Sequence, residues 1–224
     1  VTSDPHLRGL VVDWGGVLTG DVRTAVTTWA ESEQIEPDTM RSAFRAWLGP
    51  AEAQREMANP VHLLERGEME VAEFEGYLAA AVGEATGRAV VADGLLRRMF
   101  AHFMQVPAMT ALVWRAREAG IRTALLSNSW GNSYPAQVWD GMFDVVVISA
   151  EVGMRKPEPR IYAHTCGELG LAPENCVFVD DLPHNVEAAA ALGMVGVHHV
   201  SYDATAAELS VLFGHDLTAR ADVG

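Results

Sequence analysis

Cysteine is scarce in this sequence: Cys166 and Cys176 are the only two among 224 residues. They fall in segments that read as a helix and a strand. That excludes a disulfide framework and a thiolate metal cluster, and it fits a reducing cytosol. Positive charge is also short, with 16 Lys and Arg against 30 Asp and Glu and a formal net charge of −14. A surface of that sign repels phosphodiester backbones and anionic headgroups, so neither nucleic acid nor membrane is an expected partner. No apolar run approaches the length of a membrane span. The opening "VTSDPHLRG" starts on Val, as a trimmed chain would, and has no apolar stretch behind a basic one. Internal repeats and low-complexity linkers are lacking too. The expectation is a soluble, cytoplasmic protein.

What is present is ordinary globular composition, 49% hydrophobic and 21% charged, which argues against extensive disorder. The length suits one large domain, or a core domain with a small insert. Five short apolar runs stand out: "GLVVD" (9–13), "RTALLS" (122–127), "DVVVIS" (144–149), "CVFVD" (176–180) and "MVGVHHV" (194–200). Each is continuously apolar rather than alternating, as strands covered on both faces of a parallel sheet are. The helix-like stretches "AMTALVWRAREAG", "PEPRIYAHTCGELG" and "LPHNVEAAAALG" lie between the later runs, and each ends on glycine. Strand alternating with helix predicts a doubly wound α/β sheet.

Between the first run and the second lie about a hundred residues with no convincing strand. "VRTAVTTWAESEQ", "DTMRSAFRAWLG", "NPVHLLERGE", "EVAEFEGYLAAAVGE" and "DGLLRRMFAHFM" space apolar residues among charges as amphipathic helices do. Residues 20–104 therefore read as a helical insert, and 1–19 with 105–224 as the α/β core. An insert placed directly after the first strand hangs over the carboxyl edge of the sheet, where open α/β sheets bind ligands.

The strand ends carry the chemistry. Asp13 closes the first run, Ser127 and Asn128 the second, and Asp180 and Asp181 the fourth, while Lys156 follows the third in "GMRKPEPRIY". Taken singly, each has a bland reading as a turn, a cap or a solvated loop. In a parallel sheet they share one edge, so three carboxylates, a hydroxyl and an ammonium converge. That set suits phosphoryl transfer. An Asp nucleophile attacks a phosphate only where repulsion between two anions is offset, as Mg²⁺ held by carboxylates and a carbonyl would do. Lys156 and the Ser127 hydroxyl are the expected phosphate partners.

These stretches, "VVDWGGVL", "LLSNSW", "GMRKPEPRIY" and "VFVDDLPHNVEAA", resemble in order and spacing the haloacid dehalogenase superfamily of hydrolases. The resemblance implies a Rossmann-like core with a helical cap inserted after the first strand. The segment "ERGEMEVAEF" is similar to one in the subgroup near the phosphatase domain of soluble epoxide hydrolase and sugar-phosphate phosphatases. By that resemblance Asp13 is the nucleophile and a metal ligand, and Ser127, Asn128 and Lys156 bind the phosphoryl group of a small phosphorylated substrate. Asp181 and the Gly15 carbonyl hold Mg²⁺ directly, and Asp180 holds it through water. Gly15 departs from the family's commonest pattern, an Asp acting as general acid and base. Glycine keeps the backbone carbonyl and loses the carboxyl, a loss typically worth ~10²–10⁴ in rate.

The implied activity is a Mg²⁺-dependent phosphatase working through an aspartyl-phosphate. A metal-independent 2-haloacid dehalogenase uses the same nucleophile and also lacks the second Asp, but its pattern has no Asp180–Asp181 pair. Gly15 alone supports a non-catalytic phospho-ligand binder. Elsewhere, Trp14 and Trp130 adjoin the site, and the remaining tryptophans read as packing. Asn185 is expected to fix the loop of the two aspartates. His184 reads as a cap or exposed residue with a substitute acid as the sharper alternative. His198 and His199 receive no role, and Arg41, Arg45 and Arg55 read as a solvated helix face.

Overall fold

In a computed structural model, residues 6–36, 38, 59–131, 134 and 139–218 are described. Five parallel strands form one sheet in the order β3-β2-β1-β4-β5: β1 (Gly9–Val12), β2 (Arg122–Ser127), β3 (Val145–Ile148), β4 (Cys176–Asp180) and β5 (Val195–His198). All five fall within the predicted runs. The central strand β1 pairs Val12 with Leu125 of β2 on one side and with Val179 of β4 on the other. The next residue, Asp13, therefore emerges between the ends of β2 and β4, and its N–H donates to the Val179 carbonyl at 2.9 Å.

Continuous apolar strands are explained by two cores. Leu10, Val12, Leu125, Val177 and Val179 face helix α5 (Pro107–Glu118) and helix α9 (Tyr202–Phe213). Val11, Ala124, Leu126, Cys176 and Phe178 face α7 (Pro159–Glu168) and α8 (Pro183–Ala191) on the other side. Burying each such Val, Leu or Phe side chain stabilises the fold by roughly 1.5–3 kcal/mol. Both cysteines are buried and free.

Between β1 and β2 run α1 (Val22–Ser32), α2 (Pro60–Glu65), α3 (Val71–Thr86) and α4 (Leu95–Phe100). The Asp21 carboxylate caps α1 by accepting from Thr24 N at 2.7 Å, and Asn59 caps α2 with Pro60 in its first turn. These helices bury a third cluster of their own, including Trp29, Leu64, Phe74, Leu78, Val82, Leu95 and Met99. The chain leaves the sheet and returns to it side by side. Thr19 and Gln105 form an antiparallel bridge, Gly20 N donates to Met104 O at 2.8 Å, and Val106 N donates to Leu18 O at 2.9 Å. The helix expected over "DTMRSAFRAWLG" lies outside the described residues, as do Arg41, Arg45 and Arg55. Among the described residues no helix is long and apolar enough to cross a membrane.

Candidate active site

Lys156 sits at the centre of the converging strand ends. Its Nζ is 2.7 Å from Asp13 Oδ1 and 2.7 Å from Asp180 Oδ2, and its side chain is about as buried as theirs. It is the only lysine among the 16 basic residues, in a chain that otherwise uses arginine. The ammonium also lies 5.5 Å from the centroid of the Phe178 ring, a favourable cation–π placement. Burial pulls the Lys156 pKa down, but the carboxylates of Asp13 and Asp180 outweigh it and hold the group firmly charged.

Burying a carboxylate is costly unless its oxygens are satisfied. Asp180, fully buried, meets that condition. Leu182 N donates to Oδ1 at 2.8 Å, Asn185 Nδ2 reaches both oxygens at 3.1 Å, and Lys156 takes Oδ2. Asn185 thus fixes the aspartate loop as expected, from the first turn of α8, while Tyr162 OH donates to its backbone carbonyl at 3.0 Å.

Asp13, Asp180 and Asp181 each place an oxygen within 4.8 Å of the others. One ammonium cannot balance three carboxylates. Burial, partly offset by Lys156 and reinforced by Asp180, pushes the Asp13 pKa up to about 7. Asp181 is pushed up to about 6 by burial and then by Asp180. A hard divalent cation would relieve that excess of negative charge with the oxygen donors it prefers, so the residues present fit Mg²⁺.

The turn after β1 requires the second glycine of "DWGG" and leaves room at the first. Gly16 has φ +75°, and a Cβ there would lie 2.6 Å from Asp181 Cγ, so only glycine lets Asp181 approach. At Gly15 the nearest atom to an added Cβ is Val22 Cγ2 at 3.5 Å, an ordinary contact. Gly16 N donates to Thr19 Oγ1 at 3.0 Å, and Leu18 and Thr19 both donate to the Trp14 carbonyl, closing the turn.

Ser127 is buried at the end of β2, with Oγ 2.9 Å from the Tyr134 hydroxyl. Asn128 spends its amide on the backbone of Lys156: Oδ1 accepts from Lys156 N at 2.8 Å and Nδ2 donates to Lys156 O at 3.0 Å. No sequence motif marks Tyr134. Its ring meets Trp14 edge-on at 5.1 Å, and Trp14 in turn stacks on Phe103 at 5.9 Å. Burial pushes the Tyr134 pKa up to about 12, so the phenol stays protonated. His198, to which no role was given, places Nε2 3.0 Å from the Asp181 carbonyl, whereas His184 is exposed on the first turn of α8. No sequence pattern marks Glu65 as an individual residue, although it heads the "ERGEMEVAEF" segment.

A family model for haloacid dehalogenase-like hydrolases matches residues 7–193. Acyl-CoA dehydrogenase family member 10 of Mus musculus is 27% identical over 216 residues, which are 94% of this chain and 19% of that protein. A sesquiterpene phosphatase of Aspergillus oryzae is 34% identical over 111 residues, covering 47% of this chain and 56% of its own. Flavin mononucleotide hydrolase 1 of Arabidopsis thaliana is 42% identical over 64 residues, 29% of this chain and 26% of that one. Each of these matches covers less than two thirds of the relative's own length. Among solved structures, a family enzyme of Bacteroides thetaiotaomicron in complex with magnesium and inorganic phosphate is similar in fold. Its TM-score is 0.60 at 20% identity, and the match covers 86% of this chain and 93% of that one. Motifs, sheet order and family match agree: the chain belongs to the haloacid dehalogenase-like hydrolases.

Proposed function

We propose that this chain is a Mg²⁺-dependent phosphatase that hydrolyses a small organic phosphate monoester through an aspartyl-phosphate on Asp13. The observation that carries the reading is the grouping of Asp13, Asp180 and Asp181 within 4.8 Å around the only lysine, which is bonded to two of them. Carbon-centred dehalogenation needs no such carboxylate group. The phosphatases among the relatives point the same way.

Asp13, Asp181 and the Gly15 carbonyl would hold Mg²⁺, with Asp180 behind them through water, and the ion would offset charge between nucleophile and phosphate. The Asp13 carboxylate forms the new bond to phosphorus as the ester oxygen leaves, and water then hydrolyses the acyl phosphate. Lys156 keeps Asp13 oriented and offers its ammonium to the phosphoryl oxygens. The Ser127 hydroxyl, held by Tyr134, receives another oxygen, and Asn128 completes the phosphoryl-binding set by fixing the Lys156 backbone. Residues 20–104 act as a cap over the core of 1–19 and 105–224, hinged where Thr19 pairs with Gln105. Closure would exclude water from the acyl phosphate and select the leaving group. Buried free thiols suit a cytoplasmic setting.

The test is a panel of phosphate esters assayed with Mg²⁺ and with excess chelator. Turnover should require Mg²⁺, Asp13→Asn should abolish it with the fold intact, and beryllofluoride should trap on Asp13. Full turnover in chelator, or in Asp13→Asn, would overturn the reading.

A further inference from the structure

Glu65, the last residue of α2, is buried, at 6% exposure, and both its side-chain oxygens are taken. Oε1 accepts from Trp130 Nε1 at 3.0 Å, and Oε2 from Arg155 Nε at 2.5 Å. Its backbone carbonyl accepts from Ser149 Oγ, which itself accepts from Ser129 N at 2.7 Å. Ser149 opens the short helix α6 (Ser149–Val152) after β3. The neighbouring residues press the same contact together. Gly67 has φ +69° and lies so close to α6 that a Cβ would stand 2.5 Å from Ala150 O, and Arg66 pairs with Glu158 at 2.6 Å. This is what the "ERGE" spacing does: it turns the chain sharply enough to seat one carboxylate between two core loops.

Those loops are the ones that carry the phosphoryl partners. Ser129 and Trp130 directly follow Ser127 and Asn128, Arg155 directly precedes Lys156, and Asn128 and Lys156 are bonded to each other in both directions. We propose that Glu65 is a positioning residue that makes binding of the phosphoryl group conditional on docking of the insert, because its one carboxylate ties α2 to both phosphoryl-binding loops. The inference rests on the phosphatase reading above. Undocking α2 would leave the Arg155 guanidinium and the Trp130 N–H without this acceptor and release the backbone of both loops together. Loop displacements near 1 Å are enough to cost about 10²-fold where reacting groups must be aligned.

The experiment uses the full chain with Mg²⁺, measuring the Kd of inorganic phosphate by calorimetry and KM and kcat on a small aryl phosphate. Glu65→Gln keeps the volume but turns an N–H toward one of the two donors. It should raise the phosphate Kd and the KM in step, by about tenfold or more. Arg98→Gln, which breaks the 2.7 Å pair with Glu33 inside the insert, should leave both constants unchanged and so separates positioning from general loosening. Trp130→Phe removes one tie, should raise both constants about threefold, and should add nothing to Glu65→Gln, as residues acting through one network do. A folded Glu65→Gln protein within twofold of wild type on both constants overturns the proposal, as does an equal rise in Arg98→Gln. Should Glu65→Gln not fold, an unchanged phosphate Kd in Trp130→Phe overturns it by itself. A wild-type protein that neither binds phosphate nor turns over any ester brings down the phosphatase reading and this inference with it. Wild-type turnover with Glu65→Gln unaffected sinks this inference alone.

Discussion

Asn128 and Lys156 hold each other in both directions, the amide accepting from Lys156 N at 2.8 Å and donating to Lys156 O at 3.0 Å. A single side chain thus satisfies both backbone polar groups of Lys156. Asn128→Asp keeps the acceptor and sets its second carboxylate oxygen against the Lys156 carbonyl. Turnover should fall by ~10²-fold through misplacement of the ammonium. The accompanying loss of stability should be about 1–3 kcal/mol, the cost of an unmet buried polar group. Steady-state kinetics beside denaturant unfolding checks both, and turnover within threefold of wild type would refute the assignment.

Gly16 gives a second prediction. Its φ of +75° costs a residue with a Cβ roughly 1–2 kcal/mol, and the added carbon would also collide with the Asp181 carboxylate. Gly16→Ala should therefore weaken Mg²⁺ binding more than it weakens folding, by about tenfold or more if Asp181 is a direct ligand. Calorimetric titration of Mg²⁺ into both proteins reads this. An unchanged affinity would remove Asp181 from the ligand set.

A third prediction concerns pH. His62, on α2, has its pKa lowered to about 4 by burial and then by the Arg155 and Arg66 cations, with Glu158 opposing. The unfolded chain takes up this proton near the ordinary value of 6.5 while the folded chain refuses it until about 4. The His62 contribution is therefore absent above that window and turns destabilising as pH falls from 6.5 toward 4. His62→Gln should lose less Tm than wild type between pH 7 and pH 5. An equal loss in both proteins would show that burial and the two arginines do not hold the histidine below its ordinary value.

How much of this was readable beforehand follows from where the partners sit. Strands β1, β2 and β4 are legible because both faces are covered, while the edge strands β3 and β5 keep an apolar run although Val146 and His198 are exposed. The strand-end set was legible because the parallel topology turns separate motifs into one edge. The four described helices of the insert are visible by periodicity, but the periodicity of the last stretch runs to Met104 whereas α4 ends at Phe100. Residues 101–104 turn back instead to the pairing of Met104 O with Gly20 N, a contact that no local pattern announces. Glu65 had no readable role because its partner Arg155 lies 90 residues away. Tyr134 was hidden in a stretch without apolar periodicity, where only the fold brings it to Ser127.

The last prediction concerns the missing carboxylate. Gly15 has an ordinary backbone, and an added Cβ would meet nothing closer than Val22 Cγ2 at 3.5 Å, so an aspartate can be accommodated beside the first residue of α1. With glycine, the departing oxygen would leave as an alkoxide or take its proton from water or a cap residue, and rates should fall steeply as leaving-group pKa rises. Gly15→Asp should speed alkyl phosphates by up to ~10²–10⁴-fold while leaving activated aryl phosphates nearly unchanged. The measurement is the slope of log kcat/KM against leaving-group pKa in the two proteins. A shallow slope already present in wild type would mean that a resident acid operates. The exposed His184 is poorly placed for that, whereas Tyr134 holds a protonated hydroxyl 2.9 Å from Ser127 Oγ. Tyr134→Phe would then steepen the slope, and Gly15→Asp should restore it. A steep slope that Gly15→Asp leaves unaltered would show that this position does not face the leaving oxygen, and the account of the turn after β1 would have to change.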